Sequence, residues 1–311
     1  MSNFLSDRVV LITGASSGIG AALAQLLAEQ HSGIRLILAA RDADKLESVA
    51  THCRKAGADV LVVPTDITKV EQIDALVAAG LNRFGWVDIL VNNAGYGQMG
   101  PAELIPVEAI RRQFEVNLIG PITLTRALIP VMRDRGGGRI INVSSLGGRL
   151  AFPFGGLYSA SKFALEGISD AWRMELEPFN IRVSVVEPGA VQNDFVDVAQ
   201  QQVKLAIHNP METPYRAAFE KLEGLDQQVS RSAWTSEQVA KVVLKAISDR
   251  HPKPRYMAAT GGRFLVFVMT KLMPTRLVDR FWQRFYGIDQ VAKDWRLKQQ
   301  PKGNGLAAPR K

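Results

Sequence analysis

The chain has 311 residues, 47% of them hydrophobic and 22% charged, enough to bury a sizeable core as one large domain and unlike a disordered protein. The single cysteine, Cys53, excludes an internal disulfide framework, and no apolar run approaches the roughly eighteen residues of a membrane span, the richest being FLVFVM at 264–269. The net charge of +8 sits at the C-terminal end: residues 251–311 hold 13 Lys and Arg against 3 Asp and Glu, leaving −2 for the rest, and without a basic groove in the main body no nucleic-acid partner is expected.

The first residues, MSNFLSDR, lead into an apolar run with no signal-peptide pattern, which with the lone cysteine points to a reducing, cytoplasmic setting. VVLITG (9–14), RLILAA (35–40), VLVVP (60–64), VDILVNNAG (87–95), GRIINVSS (138–145) and IRVSVVEPG (181–189) follow as strands apolar on both faces. Amphipathic helical stretches separate them: AALAQLLAEQ after the first, VEQIDALVAAGLNRFG after the third, ALIPVMRDRGGG at the end of the region after the fourth. That alternation predicts an α/β fold, a Rossmann-type doubly wound parallel sheet with helices on both faces, in a single domain over 1–250.

The first strand ends in TGASSGIG, with glycines at 14, 18 and 20, and a helix starts at once. Glycines there allow a tight turn, a close approach to a pyrophosphate and close helix packing, while the helix N-terminus offers unpaired amides to phosphates. The second strand ends in LAARD. An acid at such a strand end binds a ribose 2′-hydroxyl, whereas an arginine accommodates a 2′-phosphate. Ala40 holds the strand end and Arg41 follows, which favours NADP over NAD. Asp42 is the rival reader of the ribose, or the N-cap of the next helix.

Further along, Tyr158 and Lys162 in GGLYSASKFALE stand four apart, so on a helix they share a face and reach one point. Ser159, Ala160 and Ser161 between them suit either a solvated face or a closely packed helix.

Together TGASSGIG, NNAG at 92–95, Asn117, a serine before the helix, YSASK and PGAV at 188–191 resemble the short-chain dehydrogenase/reductase family over about residues 7–195. The run FPFGGLYSASKFALEG resembles its hydroxysteroid and retinol dehydrogenase branch. The resemblance implies hydride transfer between NADP(H) and a carbonyl or alcohol, with Tyr158 as proton donor. A free phenol titrates near 10, and a neighbouring Lys162 ammonium is expected to bring it toward neutrality while binding the nicotinamide ribose. The family serine lies thirteen residues before its tyrosine, which implies Ser145, donating to the carbonyl oxygen; Ser144 then faces away. Asn117, in FEVNLIG, is similar to the asparagine that interrupts a family helix and holds a water beside the lysine.

The cofactor turn carries over to Gly14, Ser16, Ser17, Gly18, Ile19 and Gly20. Asp66, with the amide of Ile67, resembles the aspartate that holds the adenine. Asn92 resembles the asparagine beside the adenosine ribose, followed by Asn93, Ala94 and Gly95. Pro188, Gly189 and Val191 match the loop that seats the nicotinamide amide, where Asn193 replaces the family threonine. The family also implies a homo-oligomer.

Beyond residue 193 the pattern ends, and 194–234 reads as a lid over the substrate. Leu150, Phe152, Phe154 and Leu157 either line an apolar cleft, in keeping with a lipophilic substrate, or pack the loop. A non-catalytic NADP-sensing protein is the competing function, and acyl, sugar or aromatic carbonyls are the competing substrates. Residues 251–291 read as an amphipathic helical extension broken near Pro274. They either cap the pocket or a subunit interface, or make a peripheral membrane contact through 261–286. A basic, disordered tail is expected over 292–311.

Overall fold

The computed structural model describes residues 5–222 and 233–299. All six expected strands are present as β1 (Val9–Thr13), β2 (Arg35–Ala40), β3 (Asp59–Pro64), β4 (Ile89–Asn92), β5 (Gly138–Val143) and β6 (Ile181–Pro188). Two short strands, β7 (Val191–Gln192) and β8 (Trp234–Thr235), pair with each other. A further strand, β9 (Arg255–Ala258), joins the main sheet, whose order is β3-β2-β1-β4-β5-β6-β9 with every pairing parallel.

Alternation along each strand feeds two helical layers. Val10, Ile12, Leu36 and Leu38 pack toward α1 (Gly18–Gln30), α2 (Ala43–Lys55) and the helix Ser236–Ser248, through Leu23, Leu27, Leu46 and Val243. Their neighbours Val9, Leu11 and Ile37 pack toward α3 (Val70–Phe84), α5 (Gly120–Asp134) and α6 (Gly156–Glu175), through Leu76, Leu124, Leu128 and Trp172. Both faces of the sheet are therefore covered along its inner strands, which read as continuous apolar runs for that reason, while the edge strand β3 is only half-buried. Chain order reverses between β2 and β4 on either side of β1, the position where an open parallel sheet leaves a crevice at its carboxyl ends.

Before α5 come α4 (Val107–Phe114) and a π-helical turn over Glu115–Ile119, the interruption expected around Asn117. The serines between Tyr158 and Lys162 are buried, so α6 is closely packed. After β6 come α7 (Phe195–Ala206), a 3-10 turn over Pro210–Glu212 and a helical stretch at 216–222; the rest of the expected lid, 223–232, lies outside the described residues.

Two boundaries need correction. The sheet domain does not end at 250, because β9 completes it beyond that point; four residues with no long apolar run gave no strand signal of their own. The expected extension then forms helices over Gly262–Phe267 and Thr275–Tyr286, joined through a π-helical turn at Val268–Leu272 and parted at Met273 and Pro274. The second correction is at the tail, where a helix continues over Ile288–Gln299 into the stretch expected to lack structure. Residues 300–311 lie outside the described residues.

Candidate active site

A cleft of about 1000 Å³ opens at the carboxyl ends of the strands. Its floor is the turn after β1. Gly14 and Gly18 take the left-handed backbone, with φ of 65° and 54°. A Cβ on Gly20 would lie 2.3 Å from the Gly14 carbonyl oxygen and 2.6 Å from Asn93 Nδ2, so this glycine lets α1 close onto the turn. Ser17 makes no side-chain cap to α1, which leaves the first amides of the helix to the cleft that Ser16, Ser17, Gly18 and Ile19 line. Thr13, Ala39 and Ala40 complete that wall, and the whole fits a dinucleotide diphosphate with its adenosine laid toward β2.

At the adenosine end Arg41 is exposed and lines the cleft. Asp42 also lines it, but its Oδ1 accepts from the Lys45 amide at 3.0 Å as the N-cap of α2. Asp66 accepts from the Thr68 amide at 3.0 Å and the Thr68 hydroxyl at 2.9 Å. Burial opposes its charge, yet these bonds and the Arg41 and Arg112 guanidiniums hold its carboxyl below the usual range. Ile67 lies beside it.

The expectation for Asn92 is only half met. Its side chain is buried away from the cleft, where Nδ2 donates to Thr125 Oγ1 at 3.0 Å and Asn142 Oδ1 at 2.9 Å. Strand alternation turns Asn93 the other way: it lines the cleft and donates to the carbonyls of Thr13 at 3.0 Å and Gly14 at 3.2 Å. Ala94 and Gly95 continue that wall.

The reacting groups meet where β5 and α6 converge. Ser145, just after β5, accepts from the Gly147 amide at 3.0 Å, and a Cβ on Gly147 would lie 3.4 Å from the Ser145 hydroxyl oxygen and 3.2 Å from the Tyr158 ring, so both side chains border that glycine. Ser144 faces the other way, toward Glu166. Lys162 Nζ donates to the Val143 carbonyl at 2.9 Å and lies 5.9 Å from the centre of the Tyr158 ring. Asn117 is fully buried and does not line the cleft; it brackets the Tyr96 backbone, donating to its carbonyl at 2.9 Å and accepting from its amide at 3.1 Å, and donates to Ser161 Oγ at 3.1 Å. A Cβ on Gly95 would lie 3.3 Å from Asn117 Oδ1 and 3.4 Å from Lys162 Nζ, so the two flank one glycine.

The lowered tyrosine expected from the Tyr-Lys spacing is not what the fold alone produces. Burial pushes the Tyr158 phenol up to about 12, against the lowering hydrogen bond from Ser145. Burial also pushes Lys162 down to about 8, against the opposing attraction of Glu166. The lysine is aimed at a carbonyl rather than at the phenol oxygen, and desolvation dominates both groups.

Pro188, Gly189, Val191 and Asn193 line the cleft opposite Tyr158, and Asn193 Oδ1 accepts from the Phe195 amide at 3.0 Å. Of the four expected apolar residues, Leu150 and Phe152 line the cleft, while Phe154 and Leu157 pack beneath the lid with Ile105, Ile207 and Phe219. Sequence reasoning missed several neighbours. Phe195 covers Tyr158 at 5.4 Å between ring centres, and Leu265, Trp282, Phe285 and Tyr286 roof the cleft. Tyr96 lines it too, its hydroxyl buried without a hydrogen-bond partner among the described residues and within reach of the Arg41 and Arg112 charges. An aromatic directly after NNAG was the available signal for Tyr96; the roof had none beyond its apolar spacing.

The family model for short chain dehydrogenases matches residues 8–204. Human 17-beta-hydroxysteroid dehydrogenase type 1 is 34% identical over 275 residues, which cover 86% of this chain and 82% of that protein. Retinol dehydrogenase 8 of Bos taurus is 35% identical over 274 residues, 86% of each. Among solved structures, a short-chain dehydrogenase from Streptomyces avermitilis superposes with a TM-score of 0.69 at 32% identity, over 92% of this chain and 98% of that one. Matches of this reach, on a chain whose tyrosine, lysine and serine converge at the end of the same cleft as its glycine turn, make it a member of the short-chain dehydrogenase family in keeping with the hydroxysteroid and retinol dehydrogenase branch.

Proposed function

We propose that this protein moves a hydride between NADP(H) and the carbonyl carbon of a lipophilic ketone or aldehyde, or the corresponding alcohol in reverse. The observation that carries the reading is the pair of hydroxyl side chains, Ser145 and Tyr158, both bordering Gly147 and both lining the cleft where its glycine-turn end meets an apolar wall.

When bound, the nicotinamide supplies or accepts the hydride. In reduction the Tyr158 hydroxyl donates its proton to the carbonyl oxygen, and Ser145 holds that oxygen as negative charge develops. A phenol near 12 is fully protonated at neutral pH, the state this step requires. Lys162, charged at pH 7, is placed to bond the nicotinamide ribose and to stabilise the phenolate left after transfer. Leu150, Phe152 and Phe195 exclude water from the reacting oxygen and favour an apolar substrate.

Arg41 supports NADP, since its guanidinium lines the adenosine end without an ion pair among the described residues, while the rival Asp42 is engaged as a helix cap. The relatives act in the same sense: retinol and 17-beta-hydroxysteroid dehydrogenases are named for lipophilic alcohols, and a Bacteroides thetaiotaomicron relative, 28% identical, is named a 3-ketodihydrosphingosine reductase. One neighbouring structure was solved with NAD and another with NADP, so the choice rests on Arg41.

The test is NADPH oxidation against a panel of steroid, retinoid, long-chain, sugar and aromatic carbonyls. Tyr158→Phe should keep NADPH binding while turnover falls about 100- to 10,000-fold. Substantial residual turnover rejects the assignment, and NADPH binding without turnover on any carbonyl favours a nucleotide-sensing protein.

A further inference from the structure

We propose that the outer face of the C-terminal helices docks this protein onto the surface of an anionic lipid bilayer. The docking face stands apart from the redox reading, because none of the residues assigned to it lines the cleft.

Over 262–286 the chain holds Arg263, Lys271, Arg276, Arg280 and Arg284 against one acid, Asp279. All five cations are exposed, and no ion pair among the described residues engages them. Beside them the segment turns large apolar side chains to the outside: Phe264 is 72% exposed, Leu272 62% and Phe267 53%. Leu277 and Phe281 are exposed as well.

The helix Thr275–Tyr286 shows how these groups are ordered. Positions four apart form rows along a helix. Arg276, Arg280 and Arg284 make one row, Leu277 and Phe281 the next, and Val278 and Trp282 the third, which packs inward with Leu150 and Val266. The exposed apolar row thus lies between the protein body and the arginines. That is the arrangement of an interfacial helix, whose apolar row enters the headgroup boundary while the cations meet lipid phosphates.

A second copy of the chain fits the same face poorly. A two-fold contact would set these cations against themselves with a single acid per copy to relieve them, whereas an anionic bilayer supplies both counter-charge and an apolar boundary. No helix among the described residues is long and apolar enough to cross a membrane, so the contact is peripheral.

The experiment is co-sedimentation of the full chain with vesicles of phosphatidylcholine alone and of phosphatidylcholine with phosphatidylglycerol, at low and high salt. Binding is expected to the anionic vesicles and to weaken with salt. The doubly substituted variants Phe264→Ser with Phe267→Ser, and Arg276→Glu with Arg280→Glu, should each lose at least about tenfold in apparent affinity, at roughly fivefold per charge or more. Unchanged melting temperature shows that a variant is folded; if the phenylalanine pair melts early, the arginine pair decides alone. Absence of binding at low salt, equal binding to both vesicles, or variants that bind like the wild type overturn the proposal, the last by assigning the attraction to the basic tail. A dimer that the same variants split, without vesicle binding, overturns it in favour of a second copy.

Discussion

Lys162 carries its charge in a place where burial opposes it, and that cost has a pH signature. An unfolded lysine keeps its proton to about 10.5, whereas the folded one releases it near 8. Between those values the unfolded chain binds more protons, so stability rises with pH; below about 8 both states are protonated and the full penalty, about 3 kcal/mol, is present. Tyr158 acts in the opposite sense, because between about 10 and 12 the unfolded phenol loses its proton first and stability falls. Lys162→Met should therefore stabilise the cofactor-free protein at pH 7 by up to about 3 kcal/mol, abolish the rise above pH 8, and abolish turnover. Urea melts at pH 7 and 9.5 check it, and an equal wild-type to variant difference at both values would contradict it. Arg41→Ala gives the second test at this scale. Loss of a charge-assisted phosphate contact should weaken NADPH by roughly 2 kcal/mol, about thirtyfold, and leave NADH nearly unchanged. Equal losses would transfer the role to Asp42. Tyr158, Lys162 and Ser145 were legible as spacings; the facing of Asn92 against Asn93 was not, because NNAG straddles a strand end and the strand signal does not say where alternation stops. The rise of the Tyr158 pKa was hidden as well, since neighbours distant in sequence bury it.

Helix glycines show how element packing separates residues that look alike in sequence. Gly20, in the first turn of α1, has the Gly14 carbonyl and Asn93 within 2.6 Å of where a Cβ would stand, and backbone cannot move aside as a flexible side chain can. Gly167, within α6, has nothing within 4 Å and an ordinary helical φ. Gly20→Ala should destabilise by about 1–3 kcal/mol and weaken dinucleotide binding, whereas Gly167→Ala should stabilise by about 0.5–1 kcal/mol through helix propensity alone. Denaturant melts of the two variants, with NADPH titration of the first, decide the pair; a neutral Gly20→Ala would show that α1 does not need that close approach. Strands buried on both faces announced themselves as apolar runs. β7, β8 and β9 did not, being two to four residues long and held by pairing rather than by pattern.

Across the whole molecule, the segment from 262 to 286 turns its inner face to the substrate end of the cleft. Trp282 packs 6.1 Å from Phe152 between ring centres, and Phe152 is stacked on Tyr286 at 5.7 Å. Trp282→Ala should raise KM for a lipophilic ketone several-fold while leaving the dissociation constant of NADPH unchanged, because the roof lies away from the glycine turn. Steady-state kinetics with a fluorescence titration tests it, and an equal loss in both would place Trp282 in the general stability of the sheet. The amphipathic pattern and its break near Pro274 were visible in the sequence. Which face turned to the cleft was not, since that depends on Phe152 and Leu150 more than a hundred residues away.

The sheet closes late in synthesis. β6 pairs with β5 on one side, but its other edge is covered only by β9, and α1, made first, is covered by the helix Ser236–Ser248. Translation at roughly 5–20 residues per second leaves the β6 edge open for about 4–14 s before Arg255–Ala258 arrives. During that interval a nascent chain presents a bare, apolar strand of the kind that pairs with other chains. Because Val185–Pro188 pair with Arg255–Ala258, a chain cut short before residue 255 keeps that strand edge open to aggregation.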